Sequence, residues 1–214
     1  MPTCRFVAIC CLFWGLVSAV YAQNDAGAAE NETAKKETAA TNADVDQAAD
    51  KPALRKLSNK HPIWFDRNRK MVIADGEICL RKGTLEMFAC LKGTKEHESI
   101  IALPVKAMMV HAGLVACGAK PGTPVKFTPK FEPATGEEVA IYVQWKNEAG
   151  KTQIANARDW IRKSGTDETL ETNWVFPGSY FWTDERTGDQ VYTAEGGDLV
   201  CVSNFMTATL DLPI

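Results

Sequence analysis

KEHESIIALPVKAMMVHAGLVACG, residues 95–118, holds the change of pattern on which the fold reading turns. Five polar residues, Lys95 to Ser99, lead into the short apolar run Ile100–Leu103, and a longer apolar stretch follows. The first run has strand length. The second, about 104–117, has helix length, with Pro104 suited to a first helical position and Gly118 suited to left-handed termination. At about 100° per residue, Gly113 and Cys117 fall within roughly 20° of Lys106, whereas His111 lies about 140° away. If Lys106 faces water, His111 faces the core.

Around this helix the sequence reads as strands. Ile63–Phe65, Met71–Ala74, Glu77–Leu80 and Leu85–Cys90 are short and separated by turn material (DRNRK, ADG, RKG). Val139–Trp145 alternates, and a turn at Asn147–Gly150 would fold it back with Val143 opposite Ile154 and Trp145 opposite Thr152. A second hairpin is expected around Glu185–Gly188, returning through Gln190–Ala194, then a strand at Leu199–Val202 and a short helix around Trp160. WVFPGSYFW, residues 174–182, reads either as an aromatic ligand platform or as core strand, turn and core strand. Short, mainly antiparallel strands with one apolar helix make an α+β domain.

Histidine is scarce: His61, His97 and His111 are all there are. A buried His111 needs a polar partner, and His97, Glu98 and Ser99 are the nearest in sequence. If KEHES is extended, His97 and Ser99 share one face and Glu98 takes the other. Two imidazoles and a carboxylate (His97 and His111 with Glu98, or with Glu96 in its place) would suit zinc, or iron with open positions, and make a candidate metal site. A structural histidine–carboxylate pair is the competing reading. No H-E-x-x-H is present, and no catalytic nucleophile is assigned, because there is no G-x-S-x-G elbow and Cys201 sits mid-strand. Cys79 and Cys90 with His97 and His111 have a Cys2His2 inventory without the short knuckle, and a chain lacking C-x-x-C is not expected to hold an iron–sulfur cluster. A hairpin centred on Lys82-Gly83 would set Cys79 opposite Glu86 and Cys90 opposite Asp75. That register leaves a Cys79–Cys90 disulfide unjoined, so disulfides or plain buried thiols are both open for Cys79, Cys90, Cys117 and Cys201.

The remaining length divides in two. Residues 1–22 read as a signal peptide: Arg5, an apolar core from Phe6 to Val17, and the small-residue site Val20-Tyr21-Ala22. The apolar run is too short to span a bilayer, so no transmembrane segment is expected in the mature chain. Residues 23–58, rich in Ala, Thr, Asn and acidic residues, read as a disordered acidic tether. The domain is then 59–214. From Leu54 onward basic and acidic residues balance, so the formal charge of −3 resides upstream and a nucleic-acid partner is not expected.

GEICLRKGTLEMFACLKGTKEHESIIALPVKAMMVHAGLVACGAKPG (76–122), with WVFPGSYFW and the closing GGDLVCVSNFMTATLDLPI, resembles the YdjY-like domain family of exported bacterial proteins. The Glu-His-Glu-Ser element and the His-Ala of the helix are the most specific marks. The resemblance implies export to the periplasm, cell envelope or medium, and an envelope protein is one conceivable partner. It supplies no reaction and no catalytic residues. Gly113, after His-Ala, would let another backbone approach. The functional expectation is a binding or accessory module of the envelope with a His/Glu polar site. The alternatives are a metal-dependent, hydrolase-like enzyme using His97, Glu98 and His111, and a purely structural interaction domain.

Overall fold

The computed structural model describes residues 3–10 and 54–214, with side chains described from Leu54 onward. Of the expected signal peptide only Thr3–Cys10 falls within these residues, and of the expected tether only residues 54–58; the rest of both lies outside them.

Two strands decide the architecture because they are apolar throughout. β5 (Met87–Leu91) and β6 (Ser99–Leu103) are buried at all five positions each. Uninterrupted apolar runs of this kind belong inside a sheet covered on both faces. They pair parallel, Met87 level with Ser99 and Leu91 with Leu103. β4 (Met71–Ile78) flanks β6 on its other side, Glu77 level with Ala102.

The ten-stranded sheet runs β12-β5-β6-β4-β1-β7-β8. Here β1 is Thr3–Cys10, β7 Glu137–Lys146, β8 Thr152–Asn156 and β12 Val200–Cys201. β2 (Leu54–Lys56) and β3 (Ile63–Asp66) extend it beside β4, and β9 (Trp174–Phe176) pairs with β7. β10 (Phe181–Thr183) and β11 (Gln190–Tyr192) form a separate antiparallel ribbon. Helix α1 (Ala107–Ala116) packs on β3 and β4. The domain is α+β, as expected.

Several local expectations are corrected. β4 continues through Ala74-Asp75-Gly76 because Gly76 lies against β6, where a Cβ would sit 2.5 Å from the Leu103 side chain. The β4–β5 hairpin at Lys82-Gly83 does not form, since β6 stands between these strands. The Asn147 hairpin forms one residue out of the expected register, Gln144 level with Ile154 and Lys146 with Thr152. Its loop has one more residue because Asn147 binds Lys151 twice: Asn147 N–H donates to Lys151 O (3.0 Å) and Lys151 N–H to Asn147 Oδ1 (3.0 Å). Within the expected tether, Leu54–Lys56 forms β2 and pairs with β3.

The helix begins later than Pro104, because Lys106 is an extended N-cap outside the helical wheel. Its buried stripe is Ala107, Val110, Gly113 and Leu114, continued by Cys117. Gly113 faces the sheet, where a Cβ would meet Leu57 and Val72 side chains at 2.9 and 3.0 Å, so the close approach is to side chains rather than to backbone. His111 is half-buried on the flank of that stripe, not at its centre. The C-terminus matches expectation: Gly118 has φ +96°, its N–H donates to Val115 O (2.9 Å), and Ala119 N–H donates to Leu114 O (3.0 Å). These two bonds satisfy carbonyls that the helix leaves open.

Gly136 is the tightest backbone approach, with φ +137° and a built Cβ only 2.1 Å from Phe176 O. Gly136→Ala is therefore expected to lower stability by more than about 2 kcal/mol, as left-handed strain and overlap add. Gly150→Ala, at φ +73° with nothing within 4 Å, is expected to cost about 1 kcal/mol. Urea unfolding of the two variants checks the difference.

Candidate functional site

The parallel pairing of β5 and β6 requires the chain to run back the length of a strand between them, and residues 92–98 do this. KEHES lies on that return. It is not extended: Glu96–Glu98 forms one 3-10 turn, with Glu98 N–H donating to Lys95 O (3.2 Å). The bend brings His97 Nε2 to 3.6 Å from Glu98 Oε2, which strand alternation would have kept apart. His97 is largely exposed, with 76% of its side chain accessible. The Glu96 carboxylate accepts from Gly93 N–H, which holds its pKa below the ordinary glutamate value.

Ser99 is the buried residue of the element, and Lys95 and Glu98 are half-buried beside it. Ser99 is fully buried and its hydroxyl donates to Lys95 O (2.7 Å). Lys95 Nζ lies 2.8 Å from Asp198 Oδ1, 3.7 Å from Glu98 Oε1 and 4.7 Å from the Phe205 ring centre. Asp198 Oδ1 has no hydrogen bond of good geometry, so the Lys95 contact is an ion pair, while Thr207 Oγ1 donates to Oδ2. Burial opposes the ammonium charge, but the Asp198 and Glu98 carboxylates outweigh it and hold the Lys95 pKa above its ordinary value. The arrangement ties the β5–β6 return to the C-terminal segment. Asp211, fully buried nearby in the chain, accepts from Leu212 N–H (2.9 Å), Asn204 Nδ2 (3.2 Å) and Phe205 N–H (3.3 Å). Burial still dominates and pushes its carboxyl up to about 7.

His111 has different partners. Its Nδ1 is 3.0 Å from Gly178 O and 3.0 Å from the Tyr192 hydroxyl, which itself donates to Gly178 O (2.9 Å). A carbonyl only accepts, so Nδ1 carries the hydrogen and the neutral ring keeps Nε2 as its acceptor. Burial lowers the His111 pKa, against the Gly178 bond, which raises it. The ring meets Phe176 and Tyr192 edge to face, with centroids 5.0 and 5.6 Å apart. Burial pushes the Tyr192 hydroxyl up to about 12.

The structure thus brings His97 to Glu98 and gives His111 to Tyr192 and Gly178. Among the described residues, no group of three or more His, Cys, Asp or Glu side chains is placed to hold a metal ion. Cys79, Cys90, Cys117 and Cys201 are free. Cys79, just past β4, and Cys90, on β5, have β6 between them, roughly two strand spacings of about 4.8 Å and beyond disulfide reach. Cys79 Sγ donates instead to Ser99 O (3.0 Å).

A larger concavity lies elsewhere. A groove of about 1000 Å³ is floored by Ile78, Leu85, Ile100, Trp145, Trp160 and Val202 and rimmed by Arg81, Lys82, Arg162 and Asp159. Trp145 comes from β7 and Trp160 from the 3-10 helix Ala157–Trp160, whose entry is fixed by Asn156 Oδ1 accepting from Arg158 N–H (3.0 Å). The two indoles meet edge to face at 5.5 Å. WVFPGSYFW divides its roles: Trp174 and Phe176 are buried in β9, whereas Tyr180, Phe181 and Trp182 are exposed.

Two outcomes follow from these polar clusters. Tyr192→Phe removes the hydroxyl shared by His111, Gly178 and Thr209 and is expected to cost about 1–3 kcal/mol in urea unfolding. For Asp211 the folded pKa exceeds the ordinary 3.8, so the folded state binds the extra proton. Its contribution to stability therefore falls as pH rises from about 4 to about 7. The stability of the native protein relative to Asp211→Asn is expected to decline across that window, read as the difference between the two unfolding midpoints. No curated protein and no solved structure matches the chain. A family model does, that of the YdjY domain, over residues 63–212, from β3 through the Lys95–Asp198 pair to the closing segment. The chain belongs to the YdjY domain family.

Proposed function

We propose that this chain is an exported binding module whose ligand site is the Trp145–Trp160 groove, and that the KEHES element braces the domain beneath it. The carrying observation is the groove's composition: an apolar floor with two indoles, and three cations against one carboxylate at the rim. Its volume of about 1000 Å³ is at the upper end of small-molecule sites, which are mostly apolar with a few convergent polar groups. An amphipathic anion, apolar along its body and negatively charged at one end, matches that distribution. Export is supported by the leader pattern of residues 1–22.

Intrinsic tryptophan fluorescence tests the reading. Dodecanoate is expected to give a saturable change that neutral dodecyl maltoside does not give at equal concentration. Arg81→Ala with Arg162→Ala is expected to weaken the anion by about tenfold or more, the loss of a charge-assisted contact of about 1.5–3 kcal/mol. Trp160→Ala is expected to abolish saturation. Equal response to both amphiphiles, or no response to either, rejects the groove as the site.

A further inference from the structure

β1 occupies a slot one strand wide. It pairs antiparallel with β4 on one side, from Thr3 level with Glu77 to Ile9 level with Met71. On the other side it pairs antiparallel with β7, from Cys4 level with Trp145 to Cys10 level with Val139. β4 and β7 therefore run parallel to each other with β1 between them, and on the far side residues 210–211 bridge β12 to β9. The flanks of β4 and β7 away from β1 are already taken, by β3 and β6 and by β8 and β9. Residues 3–10 also lie inside the leader. One segment cannot both be removed and fill the slot.

We propose that leader removal opens this slot and that an extended segment of a partner polypeptide enters it, antiparallel to β4 and β7, completing the sheet by strand addition. This rests on the export reading above. The walls define the occupant. Phe6 is level with Ala74 and Val143, and Ala8 with Val72 and Ile141. Those four neighbours are buried, between 0% and 1% exposed. An occupant must therefore bring apolar residues at alternating positions on that face, along about seven residues of free backbone. An empty slot would leave two rows of backbone donors and acceptors unpaired, each a template for another strand. The chain's own residues 23–53 do not suit it, because Ala, Thr, Asn and acidic residues fill that stretch without apolar alternation. The segment that does fit, TCRFVAIC, is the one the leader carries away.

The test uses the full chain expressed in an exporting bacterial host and purified from outside the cytoplasm. N-terminal sequencing first reports whether residues 1–22 are gone. Hydrogen exchange then follows the alternate amides of Met71–Glu77 and Val139–Trp145 that face the slot, against β6 as the protected reference, with and without a synthetic peptide of residues 3–10 carrying Cys4→Ser and Cys10→Ser. The expected result is fast exchange on both walls, slowing to the β6 level with one peptide bound per chain. The same peptide with Phe6→Pro and Ala8→Pro, which lacks two backbone donors, should give no protection. Wall protection accompanied by a co-purifying second polypeptide would also support the proposal. Retention of residues 3–10 in the exported protein overturns the leader reading and the proposal with it. Walls protected in a processed, single-species preparation without peptide overturn strand addition alone, by closure of β4 on β7 if monomeric or by a second copy if dimeric.

Discussion

Everything in this domain is arranged around the burial of β5 and β6. All five positions of each strand are withdrawn from water, which only a covered, interior site in a sheet can provide. Placing β6 between β5 and β4 makes the β5–β6 pair parallel and forces the return of residues 92–98. That return carries polar residues across a buried region, and a polar side chain there must find a partner or lose several kcal/mol. Lys95 finds Asp198, and Ser99 finds the Lys95 carbonyl. The polarity of KEHES is thereby explained by topology before any ligand is invoked.

Much of the fold was legible because it follows from local pattern. The helix is announced by a long apolar run and a terminating glycine, and Gly118 closes it by the expected left-handed conformation. The β7–β8 and β10–β11 hairpins follow from alternation around Asn147–Gly150 and Gly188. What local pattern does not contain is pairing partner and register. The one-residue offset at β7–β8 depends on Asn147 reaching Lys151 with both backbone and side chain. The insertion of β6 between β4 and β5 is a choice among distant strands. The helical wheel misled because Lys106 anchored it and is not helical.

The candidate sites were less legible, for the same reason at longer range. His111 was expected to look for a partner just upstream, yet Tyr192 lies 81 residues downstream. No signal short of the tertiary fold links those positions. Asp198 carries no local signal of its role, which depends on Lys95 arriving across the sheet. The groove is more dispersed still, since Arg81, Trp145 and Trp160 come from three separate segments. Trp145 was correctly placed on a strand, but a strand assignment does not say whether its indole enters the core or lines a concavity.

The Lys95–Asp198 pair has a kinetic consequence. Lys95 is made early and its counter-charge late, and β12 joins β5 from the same late segment while Asp211 bridges back to Val175. Contacts of such sequence separation form slowly, because the intervening chain must be ordered before they stabilise anything. A ribosome that has released β5 and β6 has produced the most apolar strands of the domain without their outer neighbour and without Asp198, the nearer of the two carboxylates on Lys95. Until the segment carrying Asp198 arrives, β5 keeps an open edge and Lys95 has Glu98 but not Asp198 beside it.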